Sequence, residues 1–219
     1  MFSLKFTSNY FNKKTMIKFL ELAENIEIGS YKNKKIVITN KEGGHLRVQA
    51  PRLYMPFGIC GFTPEVGPTK YTLDLALTGW DEEGGYVQKF YNTLRQVEDM
   101  VIDAVVAQSE EIFEKTMSKE ELLPMFNSNI KENPGHPPKF RVKVDTDMNS
   151  VMKADVFDAN RERVSKGEMT DGLYSRNSGR PIVEMCSVYF LNRKFGVTWK
   201  LHQLQVFEPE RLKGFQFKI

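Results

Sequence analysis

The chain has 219 residues, of which 41% are hydrophobic and 27% are charged, and its formal net charge is +3. This length can bury one sizeable core, and no stretch approaches the roughly 18 consecutive apolar residues that a membrane-spanning helix needs. The first ten residues contain neither an uninterrupted apolar run nor a small-residue cleavage site, and the two cysteines, Cys60 and Cys186, lie far apart. We therefore expect an intracellular protein with free thiols, no secretory signal and no membrane partner.

The charges are distributed unevenly along the chain. Between Trp80 and Met125 there are eleven acidic and four basic residues, a net charge of −7, which leaves +10 for the rest of the chain. A basic body predicts a polyanionic partner, because a patch of one sign attracts ligands of the other. The acidic segment is typical either of the solvated face of a helix or of a surface for a second partner.

The first 79 residues predict mainly β-structure. Residues 1–33 are ambiguous, with an initial strand followed by a short helix or a second strand. The runs Lys35–Thr39 and His45–Ala50 predict two strands, and Gly43–Gly44 between them indicates a hairpin. After a stretch broken by prolines and glycines, Lys70–Leu77 alternates apolar and polar residues, as a half-buried strand does.

Residues 84–124 predict a helical insert. Apolar residues recur at three- and four-residue spacing from Val87 through about Lys115, which indicates one long amphipathic helix. Ser118, followed three residues later by Glu121, forms a capping-box pattern that predicts a second, short helix ending at Pro124.

Strands return after the insert. Phe140–Asp145 alternates apolar and polar residues, and Gly167–Pro181 has the composition of a mobile loop. The runs Ile182–Phe190 and Val197–Phe207 predict a hairpin around the turn Asn192–Gly196.

Strands, one long helix and strands again indicate an α+β fold that is mainly β. The order favours an OB-fold, a five-stranded Greek-key barrel, with the long helix inserted between strands 3 and 4. We predict a single domain over residues 1–219. Within it, 1–33 form an N-terminal extension, 84–124 the helical insert, and 208–219 a C-terminal arm or strand.

Residues able to carry out catalysis or to hold a metal are few. The three histidines are scattered and neither cysteine has a metal-ligand neighbour at zinc-site spacing, so we expect no cofactor and no metal. Asp145, Asp147 and Glu184 leave open a metal-dependent nuclease, in which carboxylates hold Mg²⁺ for phosphodiester cleavage. Aspartates at strand ends are more often turn formers, and that interpretation is favoured.

Basic and aromatic side chains are interleaved along the predicted strands, a combination that binds single-stranded nucleic acid through phosphate contacts and base stacking. The predicted phosphate contacts are Lys34, Lys35, Arg47, Arg52, Lys70, Arg141, Lys143, Arg193, Lys194 and Lys200. The predicted stacking residues are Tyr54, Phe57, Tyr71 and Phe195. Trp199 alternates with apolar residues and is assigned to the core, and the loop from Arg176 to Arg180 is predicted to close over the bound strand.

Two segments carry a resemblance to a known family: Lys35–Pro56 and, more specifically, Lys139–Phe207 with its Asn192–Lys200 hairpin. They resemble the OB-fold single-stranded DNA-binding proteins of large nucleocytoplasmic DNA viruses, relatives of the phage T7-type single-stranded DNA-binding protein. The resemblance implies a sequence-independent single-stranded DNA-binding protein, not an enzyme, that acts in viral DNA replication, recombination and repair. It also implies a polymerase or helicase as a partner, and a place in the host cell cytoplasm, at the viral factory, or in the nucleus.

The C-terminus departs from this family, whose phage-type members end in an acidic tail. Residues 211–219 are basic and apolar instead, and Phe215, Phe217 and Ile219 alternate. This pattern predicts a final strand or an arm that pairs with a neighbouring subunit to form a homo-oligomer, because those side chains gain by burial. A virion structural or assembly protein remains an alternative, and nothing in the sequence separates DNA binding from RNA binding.

Overall fold

The computed structural model describes residues 16–209. Before the long helix, the elements are β1 (Met16–Lys18), a 3₁₀ turn (Phe19–Glu21), α1 (Leu22–Asn25), β2 (Ile26–Lys32), β3 (Lys35–Asn40), β4 (Leu46–Gln49), β5 (Leu53–Met55), β6 (Ile59–Phe62) and β7 (Lys70–Ala76). After them come α2 (Tyr86–Ala107), α3 (Ser109–Phe113), α4 (Lys119–Leu122), a 3₁₀ turn (Leu123–Met125), β8 (Ile130–Lys131), β9 (Lys139–Val144), β10 (Asp155–Phe157), β11 (Asn177–Leu191) and β12 (Lys194–Phe207).

Five strands close into a barrel. β5 pairs with β7, β7 with β9, β9 with β12, β12 with β11, and β11 back with β5. The β9–β12 pair is parallel and the other four are antiparallel. Closure of the ring removes the unpaired edges that an open sheet would expose. The predicted fold class, α+β and mainly β with a five-stranded OB-type barrel, is confirmed.

The 15-residue strand β11 pairs with strands both inside and outside this ring. It pairs with β12 along one side, and along the other it pairs in turn with β5, β4 and β3. β3 therefore lies outside the ring, where its second partner is β2. The hairpin predicted at Gly43–Gly44 is wrong: residues 40–44 form a turn, but β3 and β4 each pair with β11, which is long enough to offer backbone partners to both.

The long helix α2 comes one barrel strand earlier in the chain than the sequence predicted. Because β3 is outside the ring, the first barrel strand is the bent run β4–β6 and the second is β7. α2 follows β7 and precedes β9, so it joins barrel strands 2 and 3 rather than 3 and 4. Alternation identifies a strand but not its partners. The sequence therefore counted β3 as a barrel strand, and the predicted position of the helix is one strand too late.

The helix packs its apolar stripe against the core of the barrel. The ring of Phe90 on α2 lies 5.8 Å from that of Phe140, and Phe140 lies 5.4 Å from Trp199, each pair edge to face. Trp199 is only 3% exposed, which agrees with its assignment to the core. β9 alternates as predicted, with its apolar residues buried and with Arg141 and Lys143 exposed.

A local signal determines where the short helix α4 begins. In the predicted capping box, the Glu121 N–H donates to the Ser118 hydroxyl at 3.3 Å, and the Ser118 N–H donates to the Glu121 carboxylate at 2.9 Å. α4 then runs into the 3₁₀ turn that contains Pro124. The capping box that the sequence predicted is present.

The end of α2 is fixed to the sheet by one side chain. Gln108, directly after the helix, accepts a hydrogen bond from the Tyr31 N–H at 2.7 Å and donates one to the Gly29 carbonyl at 3.3 Å. These two backbone groups lie where the β2–β3 register is irregular. The amide of Gln108 thus satisfies polar groups that the irregular register leaves without a strand partner.

The chain ends lie partly outside the described residues. From residue 16 onward, β1 and two short helical turns precede β2, whereas an initial strand before residue 16 and an arm beyond residue 209 lie outside them. The division into one domain with an extension, an insert and an arm stays a prediction. Within residues 16–209, no helix is both long and apolar enough to cross a membrane.

Candidate nucleic-acid interface

The outer surface of β5, β6, β7 and β9, with the bend between β5 and β6, forms what we call the β7–β9 face. Residues directly opposite each other on paired strands project from the same side of a sheet. By this register the face comprises Tyr54, Cys60, Phe62, Lys70, Thr72, Asp74, Ala76, Lys139, Arg141 and Lys143. Phe57, in the bend between β5 and β6, belongs to it because its ring contacts Lys139. Aromatic rings lie on its β5–β6 side, and basic side chains lie on its β7 and β9 strands.

Three aromatic side chains of this face are exposed. Tyr54 is 42% exposed, Phe57 51% and Phe62 66%, and the Lys139 ammonium lies 4.8 Å from the centre of the Phe57 ring. The prediction placed Tyr54 and Phe57 at the interface but missed Phe62 and Lys139. Phe62 lies opposite Lys70 in the β6–β7 hairpin. The sequence does not give this register, because residues 63–69 separate the two strands and alternation does not continue through a loop.

Arg141 is already bound to a carboxylate within the face. Its Nε and Nη2 donate to the two carboxylate oxygens of Asp74 at 2.6 and 2.8 Å, and Lys139 lies 3.7 Å from the same group. Asp74 is only 4% exposed. The hydrogen bonds to Asp74 raise the pKa of Arg141. The pair fixes the guanidinium in position and leaves its remaining N–H groups for a phosphate.

Asp145, directly after β9, holds two of the predicted phosphate contacts. Lys143 Nζ lies 2.9 Å from one carboxylate oxygen and Lys200 Nζ lies 2.7 Å from the other. Burial by itself raises the pKa of Asp145, but the hydrogen bonds from Lys200 and Lys143 outweigh it, so that the pKa lies below its usual value. A phosphate that binds either lysine therefore competes with Asp145.

The three acidic residues of the nuclease hypothesis have other partners. Asp147 accepts hydrogen bonds from the Asn149 and Val151 N–H groups, both at 2.9 Å, and so closes a turn. Glu184 is bound by Arg47 Nε at 3.0 Å and by His45 Nδ1 at 2.8 Å. Across the described part of the chain, residues 16–209, no group of three His, Cys, Asp or Glu side chains is placed to hold a metal ion.

A groove of about 270 Å³ lies beside the face, between β7, β9 and β12. Its wall contains Lys70, Arg141 and Lys143 together with Lys131, and within residues 16–209 no Asp or Glu lines it. Burial and then the charge of Arg141 lower the pKa of Lys131. Tyr71, a predicted stacking residue, is half-buried against the core and forms part of this wall. Lys131 was missed, because β8 has two residues and its partner strand cannot be read from the sequence.

Four other predicted contacts cluster at two adjacent hairpin turns, which we call the basic tips. They are Lys34 and Lys35 at the β2–β3 turn, and Arg193 and Lys194 at the β11–β12 turn. The two hairpins lie side by side because Lys35 pairs with Tyr189. All four basic residues of the tips are exposed.

Phe195 is not a stacking platform, and this prediction is wrong. Its ring is 0% exposed and packs 5.3 Å from Phe126 and 6.0 Å from Phe190. The turn consists of Asn192 and Arg193 alone, so Phe195 is already the second residue of β12 and faces inward.

The predicted flexible clamp of Arg176 to Arg180 is also wrong, because β11 begins at Asn177 and Arg180 lies within it. The Arg180 guanidinium lies 5.8 Å from the centre of the Phe207 ring, and that of Arg52 lies 4.2 Å from the same ring. Arg176 precedes the strand, where its N–H donates to the Met55 carbonyl at 2.8 Å. A regular pair with β12 replaces the expected loop.

The sequence matches no protein-family model and no curated protein. Among solved structures, the chain is similar to gp2.5, a single-stranded DNA-binding protein encoded by bacteriophage T7, with a TM-score of 0.50 at 13% identity over 79% of this chain and 92% of that one. The single-stranded DNA-binding protein from bacteriophage Enc34, in complex with single-stranded DNA, matches with a TM-score of 0.44 at 12% identity over 86% and 99%. The similarity to gp2.5 shows a shared fold.

Proposed function

We propose that this protein binds single-stranded DNA, without base-sequence preference, on the β7–β9 face. The observation that carries the proposal is the arrangement of that face, in which three exposed aromatic rings lie across β7 from a row of basic residues on β9. The fold shared with gp2.5, which binds single-stranded DNA, supports it. Single strands are bound by this combination because every base has a face to stack on and every phosphate is negative.

The two kinds of side chain have separate tasks. Tyr54, Phe57 and Phe62 stack with bases. The basic side chains of β7 and β9 contact phosphates: Lys70, Lys139, Arg141 and Lys143. Stacking does not distinguish one base from another, and this accounts for binding of any sequence. A duplex keeps its bases stacked inside the helix, so it can use only the phosphate contacts.

Removing the rings tests the proposal. We expect Phe57→Ala and Phe62→Ala each to weaken binding of an oligothymidine by about 5- to 150-fold, the effect of about 1–3 kcal/mol per stacked base. Tyr86→Ala is the matched control, since Tyr86 is 57% exposed at the start of α2, outside the face. Fluorescence anisotropy measures all three affinities. If the face variants bind as tightly as Tyr86→Ala, the rings do not stack with DNA.

The proposed role extends to viral DNA replication, recombination and repair, with a polymerase or helicase as a partner and self-association through residues 208–219. The resemblance to proteins of large nucleocytoplasmic DNA viruses supports a place in the host cell cytoplasm or nucleus. We also propose that the protein is not an enzyme. Incubation with Mg²⁺ and an end-labelled single strand is then expected to leave the strand intact, and shortened products would favour the nuclease.

A further inference from the structure

A second pocket lies on the outer surface of β4, β10, β11 and β12, away from the β7–β9 face. The register places Arg180 opposite Gln205, and Gln205 opposite Phe157 on β10. The neighbouring row is Gln49, Ile182 and Gln203. Arg161, in the loop after β10, completes the lining of a cavity of about 180 Å³. We call this the β10–β12 pocket.

The chemistry of the β10–β12 pocket suits an anion that carries a flat group. Among the described residues, two guanidinium groups line it and no Asp or Glu side chain does. As far as residues 16–209 are described, neither Arg161 nor Arg180 has a carboxylate within ion-pair distance. Guanidinium groups match the geometry of phosphate, the Phe157 ring offers a stacking surface, and glutamine amides can hydrogen-bond the edge of a base. A nucleotide combines all three ligand features.

A continuous row of residues on the outer surface of the sheet connects this pocket to the β7–β9 face. Along the register, Tyr54 is opposite Ser178, and Ser178 is opposite Phe207. Strands lie about 4.8 Å apart, so the row leads from Tyr54 to Phe207 in roughly 10 Å. Arg180 contacts the Phe207 ring and also lines the pocket. A strand that leaves the face at Tyr54 therefore meets an aromatic ring and then two arginines.

We propose that the β10–β12 pocket takes one nucleotide of the same single strand, with its phosphate at Arg161 and Arg180 and its base against Phe157. The bound strand then follows the barrel beyond the β7–β9 face, and the site size of the protein exceeds what that face alone can cover. This inference rests on the proposed function.

Oligonucleotides of two lengths distinguish binding at the β10–β12 pocket from binding at the β7–β9 face. The test uses oligothymidines of about 5 and about 16 nucleotides, which lie near the two ends of the range of OB-fold site sizes. In the double variant Arg161→Ala, Arg180→Ala, we expect affinity for the long oligonucleotide to fall about tenfold, and its log–log salt slope to become shallower by about 0.7 for each phosphate that is no longer bound. Affinity for the short one stays unchanged, because the β7–β9 face suffices for it. Lys89→Ala, which removes an exposed positive charge from α2, is the control.

A direct readout is Phe157→Trp, which places a fluorophore in the pocket. Trp80 and Trp199 also emit, so the wild type is titrated in parallel and its signal is subtracted. The remaining emission, from position 157, is expected to change on binding the long oligonucleotide and not the short one. The inference is overturned if the double variant binds the long oligonucleotide like the control, or if both lengths weaken equally. It is also overturned if the double variant instead loses binding of a polyglutamate peptide, which would make the pocket a protein-docking site. A wild-type protein that binds neither oligonucleotide would contradict the proposed function itself.

Discussion

At the scale of single residues, several basic side chains of the interface form ion pairs with carboxylates of the same chain. Arg141 is bound by Asp74, and Lys143 and Lys200 share Asp145. Alternation in β9 predicted that Arg141 and Lys143 are exposed. It could not predict their acidic partners, since Asp74 belongs to another strand, and Lys200 reaches Asp145 only through the β9–β12 register.

Asp145 limits the affinity for DNA, because a phosphate must compete with it for two lysines. We expect Asp145→Asn to tighten binding of an oligothymidine by about fivefold, the effect of roughly 1 kcal/mol, and to steepen the salt dependence. Titration at two salt concentrations measures both effects. Asp81→Asn, at an exposed position before α2, removes one negative charge without touching the lysines. Equal tightening by the two variants would mean that net charge alone is responsible.

The same carboxylate makes stability depend on pH. The lysines hold the pKa of folded Asp145 below its value in the unfolded chain, so its ionised form contributes stability above about pH 4 that is lost as the pH falls through the folded pKa. Asp145→Asn is therefore expected to lower the free energy of unfolding near pH 7 and to differ less from the wild type near pH 3. Urea unfolding at the two pH values measures this difference. An equal difference in the free energy of unfolding at both pH values would contradict a stabilising role for the ionised Asp145 carboxylate.

At the scale of elements, hydrophobic periodicity predicted β7, β9, the β11–β12 hairpin and the long helix. It could not predict that β3, β4 and β5 all pair with one strand, because alternation defines the faces of a strand and not its partners. Phe195 was misplaced for a related reason. The run Asn192–Gly196 has the composition of a five-residue turn, but two residues suffice to reverse the chain.

The basic tips retain charge at a cost in stability. Both central residues of each turn, Asn33–Lys34 and Asn192–Arg193, have positive φ angles between 50° and 60°. Glycine adopts this conformation without strain, whereas for other residues it costs about 1 kcal/mol. We expect Lys34→Gly and Arg193→Gly each to raise the free energy of unfolding by up to about 1 kcal/mol while weakening DNA binding.

Alanine at the same positions provides the matched control, because it removes the charge and leaves the strain in place. Lys34→Ala and Arg193→Ala should weaken DNA binding as the glycine variants do but without the gain in stability. Urea unfolding and oligothymidine titration of the four variants check this. Glycine variants that bind DNA like the wild type would remove the basic tips from the interface.

At the scale of the whole molecule, the uneven charge seen in the sequence has a structural basis. The acidic segment forms the helical insert, where Lys119 joins α4 to α2 by contacting Asp99 at 2.6 Å and Asp103 at 2.8 Å. The cations of the β7–β9 face belong to β7 and β9 instead. Composition and periodicity thus predicted a basic barrel with an acidic insert, while the barrel register alone brings Phe62, Lys70 and Lys139 onto one face.

The most direct test of the central claim is a titration of the wild-type protein with a single-stranded oligonucleotide and with its duplex across a salt series. Binding on the β7–β9 face predicts that the single strand binds at least about tenfold more tightly, because only its bases can stack. It also predicts a log–log slope of about −2 to −3 for the single strand, which corresponds to about three or four phosphate contacts. Equal affinity for single strand and duplex, or an affinity that does not change with salt, would contradict it.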